Sequence, residues 1–178
     1  MPQLARLNAQ AHPGALMTGA AHATAIHEMV ERCRAADNPR AVVKLHSGWV
    51  VMGERQVLPG YCLLLPDPVV PHINALISNA RVQFLADMAL IGDALLAITG
   101  AVRINYAMFG NVEPALHAHV FPRYADEPHA ERSAQPWALD WELAPSFSVA
   151  THGDLRQRIA TWIEWSGAKG TLGASESG

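Results

Sequence analysis

The sequence predicts an α+β domain in which a mostly antiparallel sheet carries a long helix packed across it. Two observations predict it. One strongly periodic segment, from about His72 to Thr99, repeats Leu76, Phe84, Leu85, Met88, Ile91, Leu95 and Leu96 at intervals of three, four or seven. Groups of short apolar runs broken by turn residues stand on either side of it. A single long helix between two strand groups favours antiparallel pairing over repeated parallel crossovers.

The elements follow in order. Residues 1–19 mix Ala, Gln, His, Pro and Gly without periodicity and are expected to be a flexible arm. One domain is expected over 20–166, with a disordered, Gly- and Ser-containing tail at 167–178. Ala20 to Ala36 suits a helix whose apolar face is Ile26, Met29, Val30 and Cys33, and Asn38-Pro39 stops it. Ala41 to Met52 has strand composition, with Ser47-Gly48 as a tight turn between two short strands. Tyr61 to Leu65 is an apolar strand closed by Pro66, Pro68 and Pro71. The long helix ends where Gly100 supplies a C-cap. Val102 to Phe109 reads as a strand, Gly110-Asn111 as a turn, and Leu116 to Phe121 as another strand. After Arg123, three prolines (Pro128, Pro136, Pro145) with Trp137 and Trp141 between them predict an irregular segment wrapping the surface. Leu155, Ile159, Trp162 and Ile163 share one face of a last helix, from about Gly153 to Trp165.

Composition narrows the function classes. The chain has 178 residues, half of them hydrophobic and 16% charged, so it can bury a substantial core. A net charge of −3 argues against a dedicated binder of nucleic acid or anionic membrane. Cys33 and Cys62 form no C-x-x-C pair, which argues against a zinc knuckle or dithiol redox centre. The N-terminus lacks a signal-peptide core and no membrane span is expected, so the protein is expected in the cytoplasm.

The most specific stretch is NYAMFGNVEPALHAHVFPR, Asn105 to Arg123. His117 and His119 are two apart in an expected strand, so both imidazoles face one side while Leu116, Ala118 and Val120 face the other. Such a pair has three uses. It can bind a metal, as in oxygenase-like or isomerase-like barrels, but no carboxylate follows before Asp126, so a third ligand would have to be His46 or His72. It can act on phosphorus, one imidazole attacking and the other stabilising charge or serving the leaving group. Or it is two surface histidines without chemistry.

The stretch GNVEPALHAHVFPRY resembles the histidine-triad (HIT) superfamily of nucleotide hydrolases and transferases, particularly a bacterial branch of it. The likeness extends upstream to the Leu58-Pro59-Gly60 turn, the LLLP strand and the long helix ending before RINY, covering roughly Val42 to Tyr124. Aligned on Pro122-Arg123, the middle histidine of the triad is His117, the third is His119, and Ala115 stands in place of the first. The resemblance implies a HIT-like fold and a covalent nucleotidyl-histidine at His117. The Ala115 carbonyl would hold the far ring nitrogen of His117, and His119 would serve the phosphate or leaving-group oxygens. It implies phosphate or leaving-group contacts from Asn105, Asn111 and Arg123, and a base pocket walled by Val51 and Leu63. Gly53 falls where relatives carry a ribose-binding Asn or Asp, with Glu54 beside it as the substitute.

The implied substrates are dinucleoside polyphosphates or nucleoside phosphoramidates. A divalent cation such as Mg would come only with the substrate phosphates, and the expected assembly is a homodimer. The alternative is a nucleotide-binding or regulatory protein that kept the fold and lost turnover with Ala115 and Gly53. His46, His72 and the tryptophans are expected to be structural, and Asp126-Glu127 to lie in a solvated loop.

Overall fold

A computed structural model of the chain describes residues 23–173, with side chains as far as Ser166. The expected arm at 1–19 and the end of the tail, 174–178, lie outside the described residues. Five strands form one sheet: β1 Ala41–Lys44, β2 Gly48–Met52, β3 Cys62–Pro66, β4 Arg103–Ala107 and β5 Ala118–Arg123. Their order is β1-β2-β3-β5-β4, and every neighbouring pair is antiparallel. Four helices complete the fold: α1 Ala25–Arg34, α2 Ser78–Thr99, α3 His129–Arg132 and α4 Val149–Gly173. The α+β expectation is met.

Strand alternation sorts the core onto two faces. On one, Val50, Met52, Cys62, Leu64, Ala118 and Val120 pack with Phe84, Ile91 and Leu95 of α2 and with Ile159 and Ile163 of α4. Burying each large aliphatic or aromatic side chain among these is worth about 1.5–3 kcal/mol. On the other, Val51, Leu63, Leu65 and Phe121, with Tyr61 at the entry of β3, pack beneath Ile26, Val30 and Cys33 of α1 and beside Leu139 and Trp141 of the wrapping segment. Both cysteines are free and buried.

Several element boundaries differ from the expectation, β5 among them, which runs from Ala118 to Arg123 and not from Leu116 to Phe121. Residues 73–75 form a separate 3₁₀ turn and α2 starts only at Ser78, because Leu76 and Ile77 are extended. Arg81 fixes that entry by donating to the Leu76 carbonyl at 3.0 Å. The helix ends as expected, with Gly100 left-handed at φ 76. The last helix begins at Val149, four residues early, since Ser148 Oγ accepts from the Thr151 N–H at 3.2 Å and starts the turn. It runs on to Gly173, past the expected end at Trp165. Within α2, Leu85 and Leu96 lie on the exposed flank, and the buried face instead includes Asp87. Asp87 accepts from the Ser47 N–H and hydroxyl at 2.9 and 2.6 Å, tying the β1–β2 turn to the helix. By length and composition α2 could cross a bilayer, with mean hydropathy 1.6. Here it lies across the sheet as a core helix.

Candidate active site

The site is built on the α1 face of β5. His119 pairs across the sheet with Leu63 of β3 and Ala107 of β4, at the middle of the sheet's second half. His117 stands one residue before the ladder, and the two rings lie 4.8 Å apart between centroids at 71°. His117 is buried, and its Nδ1 meets the Ala115 carbonyl oxygen at 2.8 Å. A carbonyl can only accept, so Nδ1 carries the ring proton and Nε2 keeps a lone pair. This is the backbone contact expected at Ala115, and it does not need the missing imidazole.

His119 is held differently. Its Nδ1 lies 2.6 Å from the Tyr61 hydroxyl. Its ring is parallel to Phe121, with centroids 5.7 Å apart, and meets the edge of Trp137 at 5.1 Å. Burial, and then the neighbouring His117, push its pKa down to about 4. Tyr61 is stacked on Phe121 at 4.2 Å and closed in by the edge of Trp141.

The turn before β3 is shaped to seat that tyrosine. A Cβ at Gly53 would stand 2.2 Å from Tyr61 Cδ1, so only glycine leaves room for the ring. Gln56, buried, donates to the carbonyls of Gly53 and Tyr61 at 2.8 and 3.0 Å and accepts from the Gly60 N–H at 3.0 Å. One amide thus pairs the Gly53 carbonyl and the Gly60 N–H and gives a second donor to the Tyr61 carbonyl, which also accepts from the Gly53 N–H at 2.8 Å.

Both histidines open into a cavity of about 450 Å³ that Asn111, Glu113, Phe109 and Trp137 also line. Neither Lys nor Arg lines it, and Glu113 Oε1 is buried there without a hydrogen-bond partner. Phe109 and Trp137, edge to face at 4.7 Å, separate it from a larger cavity of about 810 Å³ over β4, where Asn105 lies. Among the described residues, no group of three His, Cys, Asp or Glu side chains is placed to hold a metal ion.

Solved structures share this fold. A histidine triad protein from Bradyrhizobium japonicum aligns over 69% of this chain and 89% of its own, at 20% identity and TM-score 0.61. One from Marinobacter aquaeolei aligns over 80% and 97%, at 19% identity and TM-score 0.61. A hypothetical histidine triad nucleotide-binding protein from Sulfolobus tokodaii aligns over 77% and 91%, at 14% identity and TM-score 0.61. The chain has the histidine-triad fold. No protein-family model matches it, and no curated protein matches it significantly.

Within the histidine-triad fold, the sequence-predicted residues meet different fates. Asn111 is brought to the histidines. Asn105 lies on their face of the sheet, opposite Phe121, and its Oδ1 accepts from Arg123 at 2.9 Å. Arg123 lines the larger cavity beside Asn105 and not the histidine cavity. It is buried, and its donors go to Glu127, Asn105 and the carbonyls of Glu131, Arg132 and Ala134. Of the pair expected in a solvated loop, Asp126 is exposed, while Glu127 is a correction, buried against that guanidinium. Val51 has no exposed surface and Leu63 almost none, so both pack in the core under α1, and neither lines the two cavities described. Glu54 is exposed; its backbone carbonyl pairs with the Phe147 N–H, and its side chain lines none of the cavities described.

Sequence reasoning missed Tyr61, Gln56 and Glu113, and assigned Trp137 to packing. The Pro-Gly turn marked the place where Tyr61 enters the strand. Its position beside His119 depends on the β3–β5 register, which no local pattern encodes.

Proposed function

We propose that the protein is a nucleotide hydrolase or nucleotidyl transferase acting at the α-phosphate of a dinucleoside polyphosphate or a nucleoside phosphoramidate. The observation that carries this reading is the His117–Ala115 hydrogen bond, which leaves the Nε2 lone pair free beside a second imidazole at the cavity. Nε2 of His117 attacks phosphorus, and the bond to the leaving group breaks with its electron pair departing on that group, which takes a proton from solvent where it leaves as an amine. The positive charge that develops on the His117 ring is shared with the Ala115 carbonyl through Nδ1–H. Water then attacks phosphorus and gives up a proton to solvent, the P–N bond breaks with its electron pair returning to His117 Nε2, and a nucleoside monophosphate leaves. His119 faces the phosphoryl oxygens, and Asn111 supplies a further polar contact from the same cavity.

A divalent cation such as Mg would arrive on the substrate phosphates. We also propose a cytoplasmic homodimer. The dimer is supported by β4, which ends the sheet with Tyr106 exposed and Val102 beside it. The Sulfolobus protein with this fold is described as nucleotide-binding, which agrees with a nucleotide ligand. One observation favours a second reading, a nucleotide-binding protein with impaired turnover: the histidine cavity has a carboxylate and no Lys or Arg side chain to meet phosphate charge.

The experiment is product release from a panel of adenosine and guanosine dinucleotides and phosphoramidates, alongside His117→Ala. Mass spectrometry of the acid-quenched or denatured parent looks for the phosphohistidine adduct. Monophosphate release and an adduct in the parent, both absent from the variant, are expected. Binding without turnover in both proteins would move the assignment to the second reading.

A further inference from the structure

We infer that Tyr61 is a positioning residue that fixes His119 as the neutral tautomer with Nε2–H directed to the cavity, opposite to the tautomer of His117. The Tyr61 hydroxyl is buried, and among the described residues its recorded hydrogen bond is the one to His119 Nδ1 at 2.6 Å. A hydroxyl has one proton to place. If Nδ1 carried a proton, the phenol oxygen would have to accept it, and the phenol's own proton would be left without a recorded acceptor. With Tyr61 donating, both groups are satisfied and the imidazole proton must sit on Nε2.

The surroundings agree. Burial pushes the Tyr61 pKa up, so the phenol keeps its proton. The groups facing the His119 ring are Tyr61 from the β3 entry, His117 and Phe121 from its own segment, and Trp137 from the wrapping segment. Glu113 shares the cavity. Apart from Glu113 none of these carries a negative charge to stabilise an imidazolium, and burial acts against one. Gly53 and Gln56 hold the phenol in register, so the arrangement is built into the turn.

This inference rests on the nucleotidyl-histidine reading for its catalytic meaning. His117 then presents a lone pair and His119 an N–H to the same substrate. His119 is a hydrogen-bond donor to a phosphoryl or leaving-group oxygen and holds its proton through the step.

The test is ¹⁵N NMR of the imidazole rings in the full chain, without substrate, for the parent protein and Tyr61→Phe. In the parent, His119 should show a protonated Nε2 and a bare Nδ1 with the upfield shift of a hydrogen-bonded acceptor. In Tyr61→Phe, which keeps the stacked ring, the Nδ1 resonance should move toward the position of an unbonded nitrogen. A parent Nδ1 that bears the proton, or nitrogen shifts that ignore Tyr61→Phe, overturns the inference. With a turned-over substrate, Tyr61→Phe should lower kcat about tenfold, the effect of one lost hydrogen bond, and leave KM nearly unchanged. A parent protein with no turnover would count against the enzyme reading, while the tautomer is decided by the nitrogen shifts alone.

Discussion

Arg123 and Glu127 form a buried ion pair, with Nη2 and Oε2 2.6 Å apart and both side chains less than a tenth exposed. The same guanidinium donates to three carbonyls between Glu131 and Ala134. It therefore folds the segment after β5 back over the sheet, and that segment delivers Trp137 to the histidines.

Arg123→Met is expected to destabilise the protein by about 3–5 kcal/mol, because it strands a buried carboxylate and three carbonyls together. Urea unfolding measures it. Arg123→Met combined with Glu127→Leu should recover part of the loss, since no buried charge is then left unpaired. A single variant with the parent's midpoint would remove the anchoring role.

Putting a histidine at 115 should not improve the site. Ala115 is 1% exposed in the cluster beneath α1, and a ring there overfills the core. Ala115→His is expected to cost about 1–3 kcal/mol of stability, read as a lower Tm, with no gain in turnover.

Gly53→Ala places a methyl group on the Tyr61 ring. The ring has to shift away, at a cost of about 1–3 kcal/mol. The His119 Nδ1 resonance should change as it does in Tyr61→Phe, because the phenol leaves its register. An unchanged resonance would mean that the turn yields and the tyrosine does not.

The pH dependence of stability has two windows. His119 has a folded pKa of about 4 against an ordinary value of 6.5, so below that ordinary value the unfolded chain binds the proton more readily. Its contribution is full above pH 6.5 and is lost as pH falls toward 4. Asp67, bonded to Arg34, Lys44 and Trp49, is held at about 2 against 3.8, chiefly by Arg34. That contribution is full above pH 3.8 and disappears as pH falls through 2. Unfolding midpoints of the parent and His119→Gln across pH 4–8 should converge at the acid end.

The sheet, the long helix with its Gly100 cap and the shared face of the two histidines were legible because each rests on a local period or a local backbone requirement. The His117–Ala115 contact, which the family resemblance implied, is present too, since it uses only the backbone. The misreadings share one cause. Arg123, Glu127, Val51 and Tyr61 are set by partners far along the chain or across the sheet, and residue type alone does not reveal whether those partners are present. An arginine at a strand end looks the same from the sequence whether it meets solvent, phosphate or a buried glutamate.

The contact between Gly53 and Tyr61 also makes the two positions a coupled pair. Any Cβ at 53 would occupy the space of the ring. A side chain at 53 and a tyrosine at 61 therefore exclude one another on this backbone, and what the turn presents to a ligand is set by both residues together.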